Sequence, residues 1–384
     1  MRYLTAGESH GSELTVILSD LPSNIKIDID FINAEMRRRQ AGYGRGGRMK
    51  IETDTVEIVS GVRFGKTTGA PITLKIKNRD WENWREKMSV LKKYQTVKLS
   101  MPRPGHADFA GMLKYDQDDI RNILERSSAR ETAAQTAAGA FCKNALRDFN
   151  IQILSHTISI GNIKINKRYS FDEIKKIYFD ETLRCVDKIA EKKMIAFIDK
   201  TKKNGDTLDG VFEVIIRNCI PGLGSYTQNN LKLDALIAGA IISIQGIKGI
   251  EFGSGFAGVA APGSKFHDEF DFCGGKIVRK SNNAGGIEGG MSNGMDIVFR
   301  AAMKPIPTLM NALQSVDLAD FSLKKAIVER SDVCVAPAAG VVAESVSATV
   351  IFNSIVTEFG CDSINLIKKR YIDKMNYIRK KFRI

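Results

Sequence analysis

With 384 residues and 43% hydrophobic composition, the chain can build a sizeable core as one large domain or two ordinary ones. The formal net charge of +13 calls for an anionic partner but does not choose among nucleic acid, anionic lipid and phosphorylated metabolites. No run approaches the ~18 apolar residues of a membrane span, the opening MRYLTAGESH lacks a secretion-signal layout, and six scattered cysteines without a CxxC pair suggest neither a zinc cluster nor a disulfide framework. A cytoplasmic protein with buried free thiols is expected.

In chain order, a strand-like start leads into GESHG (7–11), where flanking glycines let backbone approach a ligand and His10 is one of four histidines. Residues 25–31, IKIDIDF, alternate as a strand does. Then comes RRRQAGYGRGGRM (37–49), with five arginines among four glycines. Guanidinium forks grip phosphate or carboxylate bidentately, and glycine backbone lets several converge on one anion. An RGG-type nucleic-acid tail is the rival, but such tails are long, repetitive and terminal.

Residues 72–76, ITLKI, read as a strand with one buried face. RPGHAD (103–108) places a second histidine, His106, beside glycine in a turn. RSSARE (126–131) fits a capping box, Ser128 with Glu131, opening an alanine-rich helix to about residue 149. A helix start with arginine support suits a phosphate, and an ordinary cap with solvated arginines is the equal alternative. The lysine-rich stretch 164–203 and the tail from Lys368 read as solvated helix faces.

Residues 212–216, FEVII, read as a strand and 231–244 as a core helix. Glycine-rich segments follow at 243–256 and at 279–294, RKSNNAGGIEGGMSNG, where no apolar period supports helix or strand. KPIPT (304–308) and RSD (330–332) complete the set. Serial glycines with Gln, Asn, Ser and Thr suit a polar, planar, phosphate-bearing cofactor held largely by backbone, yet no P-loop or dinucleotide fingerprint is present. There is no internal repeat, linker or clean composition break, so one α+β domain is expected. From the residues alone this is an enzyme on a phosphorylated anionic metabolite, with His10, His106 and Asp332 as acid/base candidates and arginines as clamps.

GESHG (7–11), GYGRGGRM (42–49), RPGHADFAGMLKY (103–115), RSSARETAA (126–134), GSGFAG (253–258), RKSNNAGGIEGG (279–290), KPIPT (304–308) and RSDVCVAPAAGVVAE (330–344) resemble, in order, the signature blocks of the chorismate synthase family. The resemblance spans about residues 1–360 and leaves the 163–204 stretch and the tail unassigned. It implies a lyase that converts 5-enolpyruvylshikimate 3-phosphate to chorismate by 1,4-anti elimination, dependent on reduced FMN without net redox change. It also implies a β-α-β sandwich with a helical core between antiparallel sheets, assembled as a homotetramer.

By the same resemblance, His10 would protonate the departing phosphate, His106 would sit near the flavin N1 region, and Asp332 would act with flavin N5 in removing the C6 proton. Arg39, Arg45, Arg48, Arg103, Arg130 and Arg330 would bind the substrate's phosphate and carboxylates. FMN contacts map to Arg126, Ser127, Ser128, Gln245, Gly246, Gly289, Lys304, Pro305, Ile306, Pro307, Thr308 and Arg330. NADPH contacts map to Arg39 and Arg45, where substrate anion binding is the better explanation, so NADPH is expected only indirectly, as a flavin reductant. No metal, nucleic acid or membrane partner is expected. A nucleic-acid module and a flavin reductase are the competing classes.

Overall fold

The alternation in Glu13–Ser19 is that of a sheet with one covered face: Leu14, Val16 and Leu18 are buried while Ile17 is exposed. This strand pairs with Arg2–Ala6 and with Ile72–Lys77, and Glu57–Ile58 completes a four-stranded antiparallel sheet. A second sheet orders Ile247–Phe252, Ile297–Met303, Gly210–Arg217, Gln152–Ile160 and Ile163–Lys164, again with antiparallel pairings. The computed structural model describes residues 1–46, 53–329 and 331–384.

Between the sheets lie two long helices, Thr132–Leu146 and Ala336–Phe359. Every residue of the first is buried, since one face meets the four-stranded sheet and the other meets the second helix. Small residues allow that closeness: a Cβ on Gly139 would lie 2.3 Å from the Ser345 carbonyl oxygen. The result is an α+β sandwich with a helical core between antiparallel sheets. Ala336–Phe359 corrects one expectation, because its length and composition would suffice to cross a membrane. Yet 89% of its apolar window is buried inside the protein, as befits a core helix packed on all sides.

Other expectations met different outcomes. The strands read at 72–76 and 212–216 form, and the 231–244 helix forms over Leu233–Ile242, burying Leu233, Ile237 and Ile241. Residues 25–31 are no strand: the Asp28 carboxylate accepts from the Phe31 N–H at 3.0 Å and caps the helix Ile29–Gln40, so a capping preference overrides the alternation. Ser128 does not form a capping box. Its hydroxyl accepts from the Arg130 N–H and closes a short turn, while Glu131 turns away to Thr5 and Gln245. Ser170 and Glu173 form both bonds of such a box in the lysine-rich stretch. Cys273 and Cys361 are exposed, unlike the other four thiols.

The glycine-rich 279–294 segment has structural logic after all. Ile287–Glu288 and Met291–Ser292 pair across Gly289 and Gly290, whose φ values of +58° and +81° belong to a tight hairpin turn. A Cβ on Gly285 would lie 2.4 Å from the Gly253 nitrogen, so two glycine loops touch backbone to backbone. Asn283 Nδ2 donates to the Phe266 carbonyl and Asn282 Nδ2 to that of Asp296, so both asparagines hold the turns.

Candidate active site

The GESHG loop follows Arg2–Ala6, and Asn78, just past the end of Ile72–Lys77, pins it by donating from Nδ2 to the Gly11 carbonyl at 2.6 Å. His10 Nδ1 lies 2.9 Å and 3.0 Å from the two oxygens of Glu125, and its backbone N–H donates to the same carboxylate at 2.8 Å. The imidazole stacks on Trp84 at 3.8 Å between centroids. Burial would push the Glu125 carboxyl up, but the His10 hydrogen bonds and charge hold it below its ordinary value, with Arg121 adding a pair at 3.1 Å. Nδ1 is committed to Glu125, which fixes the orientation of the imidazole ring.

Beside this loop the arginines converge. Arg39 and Arg130, both buried, share one carboxylate: Arg130 Nη1 donates to Asp54 Oδ1 at 2.6 Å and Arg39 Nη1 to Oδ2 at 3.3 Å. Arg39 also donates to Thr132 Oγ1 and the Ala129 carbonyl, and Arg130 Nε to Asn78 Oδ1. Burial brings Arg39 down to about 10; Asp54 opposes this while Arg130 and Arg45 add to it. Arg45 pairs with Asp332 at 3.1 Å, and the other Asp332 oxygen accepts from the Gly46 N–H at 2.5 Å. Among the described residues, three guanidiniums, Arg39, Arg45 and Arg130, thus gather around two carboxylates, Asp54 and Asp332.

His106 has its own carboxylate. Its Nδ1 lies 2.5 Å from Asp108 Oδ1, and Arg103 grips Asp108 through Nε at 2.8 Å and Nη2 at 3.0 Å, reaching Thr308 Oγ1 through Nη1. Burial would raise Asp108, yet His106 and Arg103 hold it far below the usual carboxylate range. Arg103 also lies within 3.1 Å of His106 through Nη2, so it braces the His106–Asp108 pair. The Asp108–Tyr115 helix packs against Arg121–Ser127, which carries Glu125: a Cβ on Gly111 would lie 2.4 Å from Ile123. The supports of both histidines thus form one packed unit.

The remaining sequence candidates divide. Arg126 donates to the Gly7 and Thr5 carbonyls, and Ser128 Oγ donates to Ser9 Oγ, joining them to the His10 loop; Ser127 bonds back to Ile123 in its own helix. The Gly246 carbonyl accepts from the Lys304 N–H at 3.0 Å, and Lys304 Nζ donates to the Gly105 carbonyl beside His106. Pro305, Ile306 and Pro307 carry this strand end to Thr308. Ser331 Oγ donates to the Thr308 carbonyl, linking the His106 brace to Asp332. Gly289 is not brought together with these: the Gly290 carbonyl holds the Leu233 N–H at the start of Leu233–Ile242, whereas Gln245 follows its other end, ~15 Å of helix away. Arg48 and Arg330 lie outside the described residues. Sequence reading missed Glu125, Asp108, Asp54, Asn78 and Trp84; Asp108, two residues after His106, and Glu125, just before Arg126, could have been found as carboxylates inside the motifs.

Two carboxylate-backed histidines beside a cluster of buried arginines, on an α+β sandwich, define an enzyme acting on an anionic small molecule. Residues 1–356 match the family model described as chorismate synthase. The chain is 49% identical to the chorismate synthase of Geobacter sulfurreducens over 99% of both chains, and 49% identical to that of Aquifex aeolicus over 99% of this chain and 98% of the other. A solved structure titled "Crystal Structure of Chorismate Synthase" superposes with a TM-score of 0.79 at 40% identity, covering 99% of this chain and 98% of that one. The chain belongs to the chorismate synthase family, and its activity is that of a carbon–oxygen lyase acting on phosphates.

Proposed function

We propose that the protein converts 5-enolpyruvylshikimate 3-phosphate to chorismate by 1,4-anti elimination of the 3-phosphate and a C6 hydrogen, with reduced FMN as cofactor. The observation that carries this reading is the buried pair Arg39 and Arg130 sharing the single carboxylate of Asp54 next to His10 backed by Glu125. A departing phosphate needs cations that are already in place and a proton donor. Arg39, Arg45 and Arg130 supply the cations, with Arg48 and Arg330 assigned by the motifs. His10 supplies the proton, and Glu125 supports the imidazolium while Trp84 fixes the ring. Asp332, held by Gly46 and Arg45, is assigned the C6 proton, and His106, braced by Asp108 and Arg103, is assigned to the cofactor side.

The residues fit a flavin. Lys304 Nζ and the Gly246–Lys304 bond bring the Gln245 segment beside His106, and Arg126 and Ser128 bond to the His10 loop, so these polar groups and backbone turns lie together where a phosphate-bearing flavin needs them. Arg126, Ser127, Ser128, Gln245, Gly246 and residues 304–308 would hold it, with Gly289 and Arg330 as motif-assigned contacts. Bound reduced flavin supplies transient electron donation to phosphate expulsion. NADPH enters only as a reductant of flavin, and Arg39, already tied to Asp54, Thr132 and Ala129, serves the substrate. A homotetramer in the cytoplasm, with residues 1–360 as the catalytic unit and 361–384 as an appended helix, belongs to the same reading.

An anaerobic assay with 5-enolpyruvylshikimate 3-phosphate and dithionite-reduced FMN tests it. Chorismate is expected, and its absence would overturn the proposal. A parallel reaction with FMN and NADPH reads whether the protein reduces its own flavin; no product is expected there.

A further inference from the structure

The core helix Ala336–Phe359 begins at a residue that cannot cap it: Val335 occupies the N-cap and offers no side-chain acceptor to the first N–H groups. Asp209 supplies the acceptors from another part of the chain. Its Oδ1 accepts from the Ala336 N–H at 2.6 Å and its Oδ2 from the Val335 N–H at 3.3 Å, and the Cys334 thiol donates to Oδ1 at 3.7 Å. Asp209 is followed at once by Gly210–Arg217, an inner strand of the second sheet that packs on the same helix. One carboxylate therefore ties sheet to helix where the helix starts.

Asp332 lies two to four residues before these three held groups. The backbone between is tied twice more: the Leu208 N–H donates to the Val333 carbonyl at 3.0 Å, and the Val333 N–H to the Gly44 carbonyl at 2.8 Å. The Asp332 carboxylate then meets the Gly46 N–H and Arg45. A Cβ on Gly46 would lie 3.0 Å from the Ser331 carbonyl oxygen, so the two segments touch. Asp209, the helix entry and the Gly44–Gly46 turn form one hydrogen-bonded frame, with Asp332 at its edge. Asp209 itself is buried and makes no ion pair among the described residues. Burial pushes its carboxyl up to about 8, while the Val335 and Ala336 N–H groups and the Cys334 thiol hold it down. A serine cap would avoid that buried charge but would hold a single N–H, whereas the two oxygens of a carboxylate span two consecutive ones.

We propose that Asp209, which no motif assigns, is a positioning residue for Asp332: its carboxylate fixes the entry of the core helix and, with it, the direction from which Asp332 meets the substrate. The inference rests on the assignment of the C6 proton to Asp332 above and deepens it.

The test is the anaerobic assay with reduced FMN, run on the full-length protein, Asp209→Ala, Asp209→Asn, Asp332→Asn and the Asp209→Ala/Asp332→Asn double variant, with kcat counted per folded molecule. Asp209→Ala should lower kcat about 10- to 100-fold, the reach of a misplacement near 1 Å, with KM and FMN affinity within about twofold. Asp209→Asn keeps an acceptor for the Ala336 N–H but turns an NH2 toward Val335, so its kcat should fall between. In the Asp332→Asn background, Asp209→Ala should cost less than about threefold more, because it acts through Asp332. A kcat for Asp209→Ala within twofold of the unaltered protein, or a loss that multiplies in full with Asp332→Asn as plain destabilisation would, overturns the inference and leaves the proposed reaction standing. Unchanged kcat in Asp332→Asn removes the Asp332 assignment and this inference together. Absence of chorismate from the unaltered protein removes the reaction itself. Should Asp209→Ala not fold, judged by thermal denaturation, Asp209→Asn takes its place in the same comparison.

Discussion

Arg38 and Arg39 are neighbours on one helix, both almost fully buried, and they serve different parts of the protein. Arg38 enters a closed network: it donates to Glu35 and to both oxygens of Glu344 at 2.8 Å, and Lys143 bonds the same two acids at 2.6 Å. Two cations meet two carboxylates, and Ser155 and Tyr178 take up remaining oxygens. Arg39 enters an open cluster, sharing Asp54 with Arg130 and feeling Arg45 beyond. Burial pushes both guanidiniums down, but Glu344 and Glu35 lift Arg38 above its ordinary value, whereas Arg39 stays at about 10. Balanced charge in a dry interior stabilises the fold only while complete, whereas arginines gathered beside a histidine are the arrangement that binding an anion calls for.

The largest effect that would separate the two regions lies at the open one. His10→Ala should lower turnover by about 10²–10⁴ with little change in melting temperature, read by steady-state assay and calorimetry. Turnover within twofold of the unaltered enzyme would remove His10 from the chemistry. Arg38→Ala is the counterpart in the closed network: it strands buried carboxylates and should cost about 3–5 kcal/mol of stability, with turnover per folded molecule unchanged. Denaturant melts check it, and a loss below about 1 kcal/mol would show the network to be dispensable.

Arg39→Lys asks whether the fork matters and not only the charge. Lysine keeps the cation but cannot span Thr132, Asp54 and Ala129, so kcat/KM should drop about 10- to 100-fold, the worth of a charged hydrogen bond. The closed network should also announce itself in acid. Burial would raise the Glu344 carboxyl, but Arg38 and Lys143 hold it at about 2, below the ordinary 4.5. A depressed carboxyl contributes stability above its unfolded value and loses it as pH falls through the folded one. Melting temperature should therefore decline between pH 4.5 and about 2, and Glu344→Gln should flatten that decline. An equally steep decline in the variant would place the acid sensitivity elsewhere.

Much of this division was invisible in the sequence, for a physical reason. Motif blocks around His10, His106 and Arg126 were legible because glycine beside charge has no packing purpose, and the structure ties them into one frame. The sandwich itself was foreshadowed by alternation at 72–76 and 212–216, where a single covered face leaves its mark. IKIDIDF misled, because a helix cap and a strand can share one local pattern until tertiary contacts choose. The carboxylates Asp54 and Glu125 were missed since an isolated acid carries no periodic signal, and only the fold brings it to its arginine or histidine. The hairpin at Gly289 and Gly290 was hidden by the same glycines that make it possible.

The smallest expected effect closes the comparison, at Arg37. It belongs to the same RRR run and the same final helical turn as Arg38 and Arg39, yet its side chain faces solvent. Successive helical residues point ~100° apart, so three arginines in a row cannot share one environment. One is left on the surface, one goes to the core and one to the cleft. The positive charge of Arg37 near the helix C-terminus is worth at most a few tenths of a kcal/mol there. Arg37→Ala should therefore change stability by less than about 0.5 kcal/mol and leave kcat/KM unaltered. A tenfold loss of kcat/KM would mean that the substrate-facing arginine cluster extends to the outer face of this helix, and the boundary between the two regions would have to be redrawn.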